Sequence, residues 1–325
     1  MKKIYCPVVR KGGKCAVLLK TCRYCGVVSC DISPCPIRYF SKPYNKCRRC
    51  GRKWAGFRAD SGGRISAMKP FKRLERNEFM LSDAAVVFRH QIQDGAGFLS
   101  TCDGGDPGSV EEPSVWLLGI EPGWSLADEA TDEVPSPEAE QRLRAYSIEL
   151  QLEWPFNRNA FKLLATVEGG SPDDYREFAK RAQPFALNSK GYLKGNLFPV
   201  PFNNVGAWDE AATAMTGFAT KDEYQSWVRE VRFPILQTWI ERCRPRLLIG
   251  SGISHLADFL AITSADKKPS EFQFEVNGHS KRVFIGKNGV VPVAIVPHLS
   301  GGIHSLNSNQ SIAQTAAIIR SELGI

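Results

Sequence analysis

The sequence contains no long hydrophobic run. Its most apolar stretches, LLIG at 247–250 and VPVAIV at 291–296, fall far short of the roughly 20 residues a membrane helix requires. The opening MKKIYCPVVRKGGK also lacks the apolar segment of a secretion signal. A soluble, cytoplasmic protein with no membrane partner is expected. Acidic residues are nearly missing from one end: residues 1–75 hold 3 Asp and Glu against 19 Lys and Arg, while the rest of the chain holds 31 against 23. The formal charge of +8 therefore divides into +16 and −8. Cysteine is scarce beyond residue 50, where Cys102 and Cys243 alone occur.

At 325 residues and 43% hydrophobic composition, the chain can bury one large core beside a small accessory module. The basic end is that module, residues 1–58, followed by a linker over 59–75 that includes the Gly/Ser/basic stretch ADSGGRISAMKPFKR. Lys and Arg gain affinity for phosphates by releasing counterions, so the charge division points to a polyanion partner. A basic tail kept for solubility is the plainer alternative.

Eight cysteines fall in the first 50 residues, and without a secretion signal they read as metal ligands rather than disulfides. TCRYCG at 21–26 and KCRRCG at 46–51 repeat one element, Cys-x-x-Cys-Gly. The two-residue gap lets both thiolates reach one ion, and the glycine permits the tight turn behind them. Cys22, Cys25, Cys47 and Cys50 are thus expected to hold a structural zinc in a zinc ribbon. An iron–sulfur cluster is the rival, since four thiolates suit both. Cys6, Cys15, Cys30 and Cys35 are candidates for a second site with irregular spacing. Arg48, Arg49 and Arg52 interleave with Tyr44, Trp54 and Phe57: the basic groups suit phosphates, and the rings either stack on bases or form the module's small core.

From residue 76 to 325 the pattern changes. VWLLGI at 115–120, RLLIG at 246–250 and VPVAIV at 291–296 are continuously apolar, as buried parallel strands are, and YLKGNLF at 192–198 is a weaker strand. Helical patterns lie between and after them, among them 223–243 and 311–323, while 103–113 and 128–141 read as surface loops. Alternating strands and helices predict a three-layer α/β/α domain with a mainly parallel central sheet and its ligand groups at the carboxyl ends of the strands. Those ends deliver Glu121, Asn196 and His298, a carboxylate, an amide and an imidazole, to one edge of the sheet.

GIEPGWS at 119–125 resembles the first motif of the uracil-DNA glycosylase superfamily, above all its mismatch-specific uracil/thymine branch, whose version is Gly-Ile-Asn-Pro-Gly. PHLSGGIHS at 297–305 resembles the second motif, usually begun by His-Pro-Ser, RPRLLIGSG resembles the strand between them, and WPFNRNAF at 154–161 the segment with the base-stacking phenylalanine. The resemblance covers roughly residues 80–325. It implies a monofunctional DNA glycosylase that needs no cofactor for catalysis, takes duplex or single-stranded DNA as its partner, and works as a monomer. Glu121 stands at the family's Asn or Asp position, where a carboxylate polarises the attacking water and stabilises the sugar cation. His298 stabilises the anion forming on the base, with His304 as a nearby substitute. Phe156 stacks on the flipped base, in competition with Trp154 and Phe161. Asn196 reads the pyrimidine edge unless it is a plain turn residue, and Ser300, Gly301 and Ile303 meet DNA, the glycines at a phosphate and Ile303 in the gap left in the duplex.

Two departures stand out. Leu299 replaces the usual proline of the second motif. Gly123 occupies the position where strict uracil enzymes carry a tyrosine that blocks substituents on pyrimidine C5. With glycine there, a modified pyrimidine is expected, such as the hydroxymethylated or glucosylated cytosine of some phage DNAs, which suggests a defence role. An ordinary uracil or thymine-mismatch repair enzyme is the alternative. So is a catalytically silent DNA-binding protein on the same fold, and so is another nucleic-acid enzyme or RNA-binding ribbon protein. No lysine stands where a Schiff base and strand cleavage would be expected.

Overall fold

The computed structural model describes residues 81–123, 147–186, 189–202, 206–265 and 268–325, together with the backbone of six two-residue strands within 9–47. Backbone contacts divide the chain into two compact units, Met1–Asn77 and Glu78–Ile325. In the first unit the six strands form three antiparallel pairs: β1 (Val9–Arg10) with β2 (Gly13–Lys14), β3 (Lys20–Thr21) with β4 (Val28–Ser29), and β5 (Phe40–Ser41) with β6 (Lys46–Cys47). Cys22, Cys25, Cys50, Arg48, Arg49 and Arg52 lie outside the described residues, and Cys47 is described by its backbone alone.

The second unit opens with α1 (Asp83–Gln93), capped by the Ser82 hydroxyl on the Ala85 N–H. There follow β7 (Gly104–Gly105), β8 (Val115–Gly119), α2 (Ile148–Glu153), α3 (Pro155–Val167), α4 (Tyr175–Ala182), β9 (Tyr192–Asn196) and α5 (Glu210–Thr216). Then come α6 (Lys221–Val231), α7 (Phe233–Cys243), β10 (Leu247–Ser251), α8 (Leu256–Thr263), β11 (Ser270–Val276), β12 (His279–Gly286), β13 (Val293–Val296) and α9 (Asn309–Leu323). One seven-stranded sheet runs in the order β11-β12-β13-β10-β8-β9-β7. Its faces separate cleanly along each strand, because side chains alternate. Trp116 and Leu118 pack with Phe88, Tyr224, Leu236 and Phe259 of α1, α6, α7 and α8. Val115 and Leu117 pack with Phe161, Phe178 and Ile312 of α3, α4 and α9. The result is an α/β domain with helices on both faces.

The sheet is mixed, which meets the expectation of a mainly parallel one only in part. β9, β8, β10 and β13 are parallel neighbours, but β7, β12 and β11 join antiparallel, giving three pairings of each kind. The cause is local. Asn277 and Gly278 both take positive φ, 50° and 72°, the two-residue turn that closes a tight hairpin, and β11 alternates exposed with partly buried residues like a strand with one wet face. A second difference is the helix expected over 223–243, which is two. The chain breaks at Arg232 and restarts at Phe233 with Pro234 in the first turn, where a proline's missing N–H is tolerated; in a helix interior it would not be.

Candidate functional site

Four parallel strands set the frame. β8 lies between β9 and β10, so the chain leaves β8 to one side and returns on the other, and ligand groups gather where the order reverses, beyond the carboxyl ends. Two residues past the end of β8 stands Glu121. Its main chain continues beside the segment after β9: the N–H groups of Leu197, Phe198 and Phe202 donate to the carbonyls of Gly119, Ile120 and Pro122 at 3.0, 2.9 and 3.1 Å. The Glu121 side chain is 2% exposed, and Oε2 lies 2.8 Å from Nζ of Lys221, itself 11% exposed. Lys221 opens α6, with its ammonium 4.1 Å from the Phe202 ring centroid.

Burial pushes the Glu121 carboxyl above the usual carboxylate range, while Lys221, the Gln225 amide and His255 oppose the rise. The ion pair thus holds a desolvated carboxylate in its charged form. Oε1 is buried and has no hydrogen-bond partner among the described residues, so it is an acceptor left unpaired. His255, at the end of the 3₁₀ turn after β10, places Nδ1 2.9 Å from Oδ2 of Asp258. Arg229 grips the same carboxylate through two bonds of 2.7 and 2.9 Å. Burial works against charge on Asp258, yet His255 and Arg229 hold it below the usual range.

His298 stands two residues past the end of β13. The backbone N–H of Ser300 donates to its Nδ1 at 3.3 Å, and the Ser300 hydroxyl lies 2.6 Å from the same atom. A backbone N–H can only donate, so Nδ1 is the acceptor and a neutral ring carries its proton on Nε2. Burial lowers the His298 pKa, which favours that neutral form. Ser300, expected to meet DNA, is here the residue that sets the tautomer. The Phe156 ring packs 5.5 Å from the imidazole, centroid to centroid, while Phe161 is fully buried against Phe185. Of those two phenylalanines only Phe156 is open to a ligand. It is the second residue of α3, whose first is Pro155.

Asn196, the last residue of β9, is 4% exposed. Its Nδ2 donates to both oxygens of Asp103 at 3.1 and 3.2 Å, and Asp103 pairs with Lys194 at 3.1 Å. The Lys194 ammonium also stands 5.2 Å from the Phe156 ring centroid. On the far side, the Asn196 carbonyl accepts from Nη2 of Arg232 at 3.3 Å. Arg232 is fully buried, donates to the Thr101 hydroxyl at 2.7 Å, and lies beside Cys102, which is no counter-ion because burial pushes its thiol up to about 12.

The turn after His298 has a fixed base and an open tip. Leu299 is fully buried and its carbonyl accepts from Asn159 at 2.7 Å; where proline was usual, the leucine serves as a core anchor. Lys281 is 4% exposed, and its ammonium donates to the carbonyls of Ile303 and Ser305. Gly301 and Gly302 are exposed, and the Ile303 side chain is 59% exposed. A Cβ added at Gly123 would meet nothing within 4 Å among the described residues.

The structure therefore brings the expected residues to one edge of the sheet but in two groups. Glu121 belongs with Lys221 and His255, and His298 with Phe156 and Ser300. Among the described residues no hydrogen bond joins Glu121 or Asn196 to His298. Lys194, Asp103, Lys221, His255, Asp258 and Arg229 were not found from the sequence, although His255 follows the LLIG strand end as His298 follows VPVAIV. No three His, Cys, Asp or Glu side chains gather as a metal site among the described residues, and none of their helices is long and apolar enough to cross a membrane. No protein-family model matches the chain, and no curated protein matches it.

Proposed function

We propose that the chain is a monofunctional DNA glycosylase that flips a pyrimidine nucleotide out of the stack and hydrolyses its N-glycosidic bond. One observation carries the reading. Glu121 and His298 each stand two residues past the end of a parallel strand, β8 and β13, and β10 alone separates those strands. Two inter-strand spacings are roughly 10 Å, a gap that a nucleoside bridges with its sugar at the carboxylate and its base at the imidazole. Extruding the nucleotide is what lets such a site reach the bond.

In the reaction the water oxygen bonds to C1′ while the C1′–N bond breaks and its electron pair leaves with the base. Glu121 takes a proton from the water through Oε1, and that proton returns through solvent to the base nitrogen. The charged carboxylate, kept so by Lys221, also stabilises the positive charge on the sugar. His298 donates its Nε2–H to the pyrimidine O2 as negative charge builds there. Phe156, beside the imidazole, stacks on the base, a contact worth on the order of 1–3 kcal/mol. Ile303 projects from the loop tip to fill the space the nucleotide leaves. The space open at Gly123 among the described residues suits a substituent on C5. The basic first unit grips DNA, with one zinc held by the thiolates of Cys22, Cys25, Cys47 and Cys50 and with Arg48, Arg49 and Arg52 on phosphates.

The test is incubation of the full chain with duplex and single-stranded oligonucleotides bearing uracil, a thymine mismatch, hydroxymethylcytosine or its glucosylated form, followed by hot alkali. Strand breaks at the test base, lost in Glu121→Gln with DNA binding retained, are the expected result. Unbroken strands on every substrate overturn the reading.

A further inference from the structure

The antiparallel strand β12 overshoots its neighbour. Phe284, Ile285 and Gly286 stand opposite Ile295, Ala294 and Val293 of β13. By the same register Val283 meets Val296, the last residue of β13, and the residues from His279 to Arg282 run on past that strand end. Side chains alternate along a strand, so His279, Lys281 and Val283 share one face. Val283 packs in the core. The other two reach the turn that follows His298: the Lys281 ammonium donates to the carbonyls of Ile303 and Ser305, the second at 2.9 Å, and the His279 ring lies 6.4 Å from that of His304.

Burying this lysine works against its charge, and no carboxylate among the described residues offsets that. Water would satisfy the carbonyls of an ordinary surface loop without such a burial. Here protein donors take them. The carbonyls of His298, Leu299, Gly301 and Gly302 accept from the Leu306 N–H at 2.9 Å, Asn159 at 2.7 Å, the Ser305 hydroxyl at 3.1 Å and the Ser305 N–H at 3.1 Å. With the two that Lys281 holds, six of the eight carbonyls from His298 to Ser305 are bound by described residues. The Ile303 side chain stays 59% exposed, although its own carbonyl is one of the pair on Lys281. We infer that Lys281 is a positioning residue, which holds the 300–306 loop in its inserting shape before DNA arrives and so makes Ile303 a preset wedge. The inference rests on the glycosylase reading for the loop's contact with DNA. A preset wedge has less freedom to lose on insertion, and the hairpin that makes the sheet mixed thereby gains a role in opening the duplex.

Two measurements test this without chemistry. In the DNA-free full chain, the amides of Ser305 and Leu306, bonded inside the turn, should exchange at least about 100-fold more slowly than in an open chain; open-chain rates overturn the inference. On a duplex with a tetrahydrofuran abasic analogue beside a 2-aminopurine, saturating wild-type chain should raise the fluorescence as Ile303 unstacks that neighbour. Ile303→Ala and Lys281→Met should both lack the rise. Unchanged fluorescence with the wild-type chain overturns the inference, as does a full rise with Lys281→Met. If the rise appears while no substrate loses its base, the wedge stands and the glycosylase reading alone falls. Where a base is released, Lys281→Met should slow release from duplex about tenfold, as Ile303→Ala should, and leave single strands unaffected. A loss shared by both substrates marks a merely structural role and overturns the inference. Because Lys281 acts through Ile303, the double variant should be no slower than either single one, and losses that multiply also overturn it. Should Lys281→Met not fold, Lys281→Gln, which keeps a donor, takes its place in each arm.

Discussion

Replacing Glu121 with Gln should cost the fold as well as the reaction. The carboxylate is 2% exposed and its lysine 11% exposed, at 2.8 Å, so each charge sits where water does not repay its hydration. Lys221 is also the first residue of α6, where the helix dipole disfavours a cation. Removing one member of a buried pair typically costs about 3–5 kcal/mol. At roughly 2–4 °C per kcal/mol for a domain of this size, Glu121→Gln should lower Tm by about 6 °C or more. Lys221→Met should be milder, because the bereft carboxylate, already raised by burial, can neutralise itself by taking a proton; its penalty should grow as pH rises. The double variant carries no buried charge and should recover most of the loss, with a coupling of at least about 2 kcal/mol. Urea unfolding followed by tryptophan fluorescence measures all four proteins. A Glu121→Gln variant within about 1 kcal/mol of the wild type, or additive single effects, would refute the buried pair.

In the proposed reaction base release needs Glu121 ionised and His298 neutral, so the single-turnover rate should be flat near neutrality and fall as pH drops. Because the Glu121 pKa is raised, the inflection should lie above the ordinary value of about 4.3 and move higher in Lys221→Met; a rate that climbs toward acid contradicts this. Gly119→Ala puts a methyl group within 2.5 Å of Asn196 Oδ1, and calorimetry should show a loss of about 1–3 kcal/mol alongside lost base binding. Ile303→Ala, at a 59% exposed position, should leave Tm unchanged and slow release from duplex roughly tenfold, while single strands, which have no gap to fill, react as before. Elemental analysis should find one zinc per chain, absent from Cys22→Ser together with most of the salt-dependent DNA affinity.

The strand ends were legible because buried parallel strands leave uninterrupted apolar runs, and such a run has a definite last residue. Counting two places past Gly119 and Val296 reaches Glu121 and His298. Their partners were not legible: Lys221 meets Glu121 across 100 residues and Asp103 meets Asn196 across 93, and no local pattern encodes such a meeting. Two further features are readable in the sequence. Asn277-Gly278 between alternating strands marks the hairpin that makes the sheet mixed, and Pro234 marks the break between α6 and α7. The choice between Phe156 and Phe161 was beyond sequence, since both follow Pro155 on one helix and packing alone buries the second.

In the proposed reaction water, placed by Glu121, replaces the base at C1′. Single-turnover reaction of the full chain with a modified-pyrimidine duplex in ¹⁸O-labelled water, read by mass spectrometry of both products, tests it directly. Free base without label and an abasic sugar carrying one ¹⁸O at C1′ are the expected products. Intact nucleotide, or base released with a covalent protein–sugar adduct in place of the labelled hydroxyl, would contradict it.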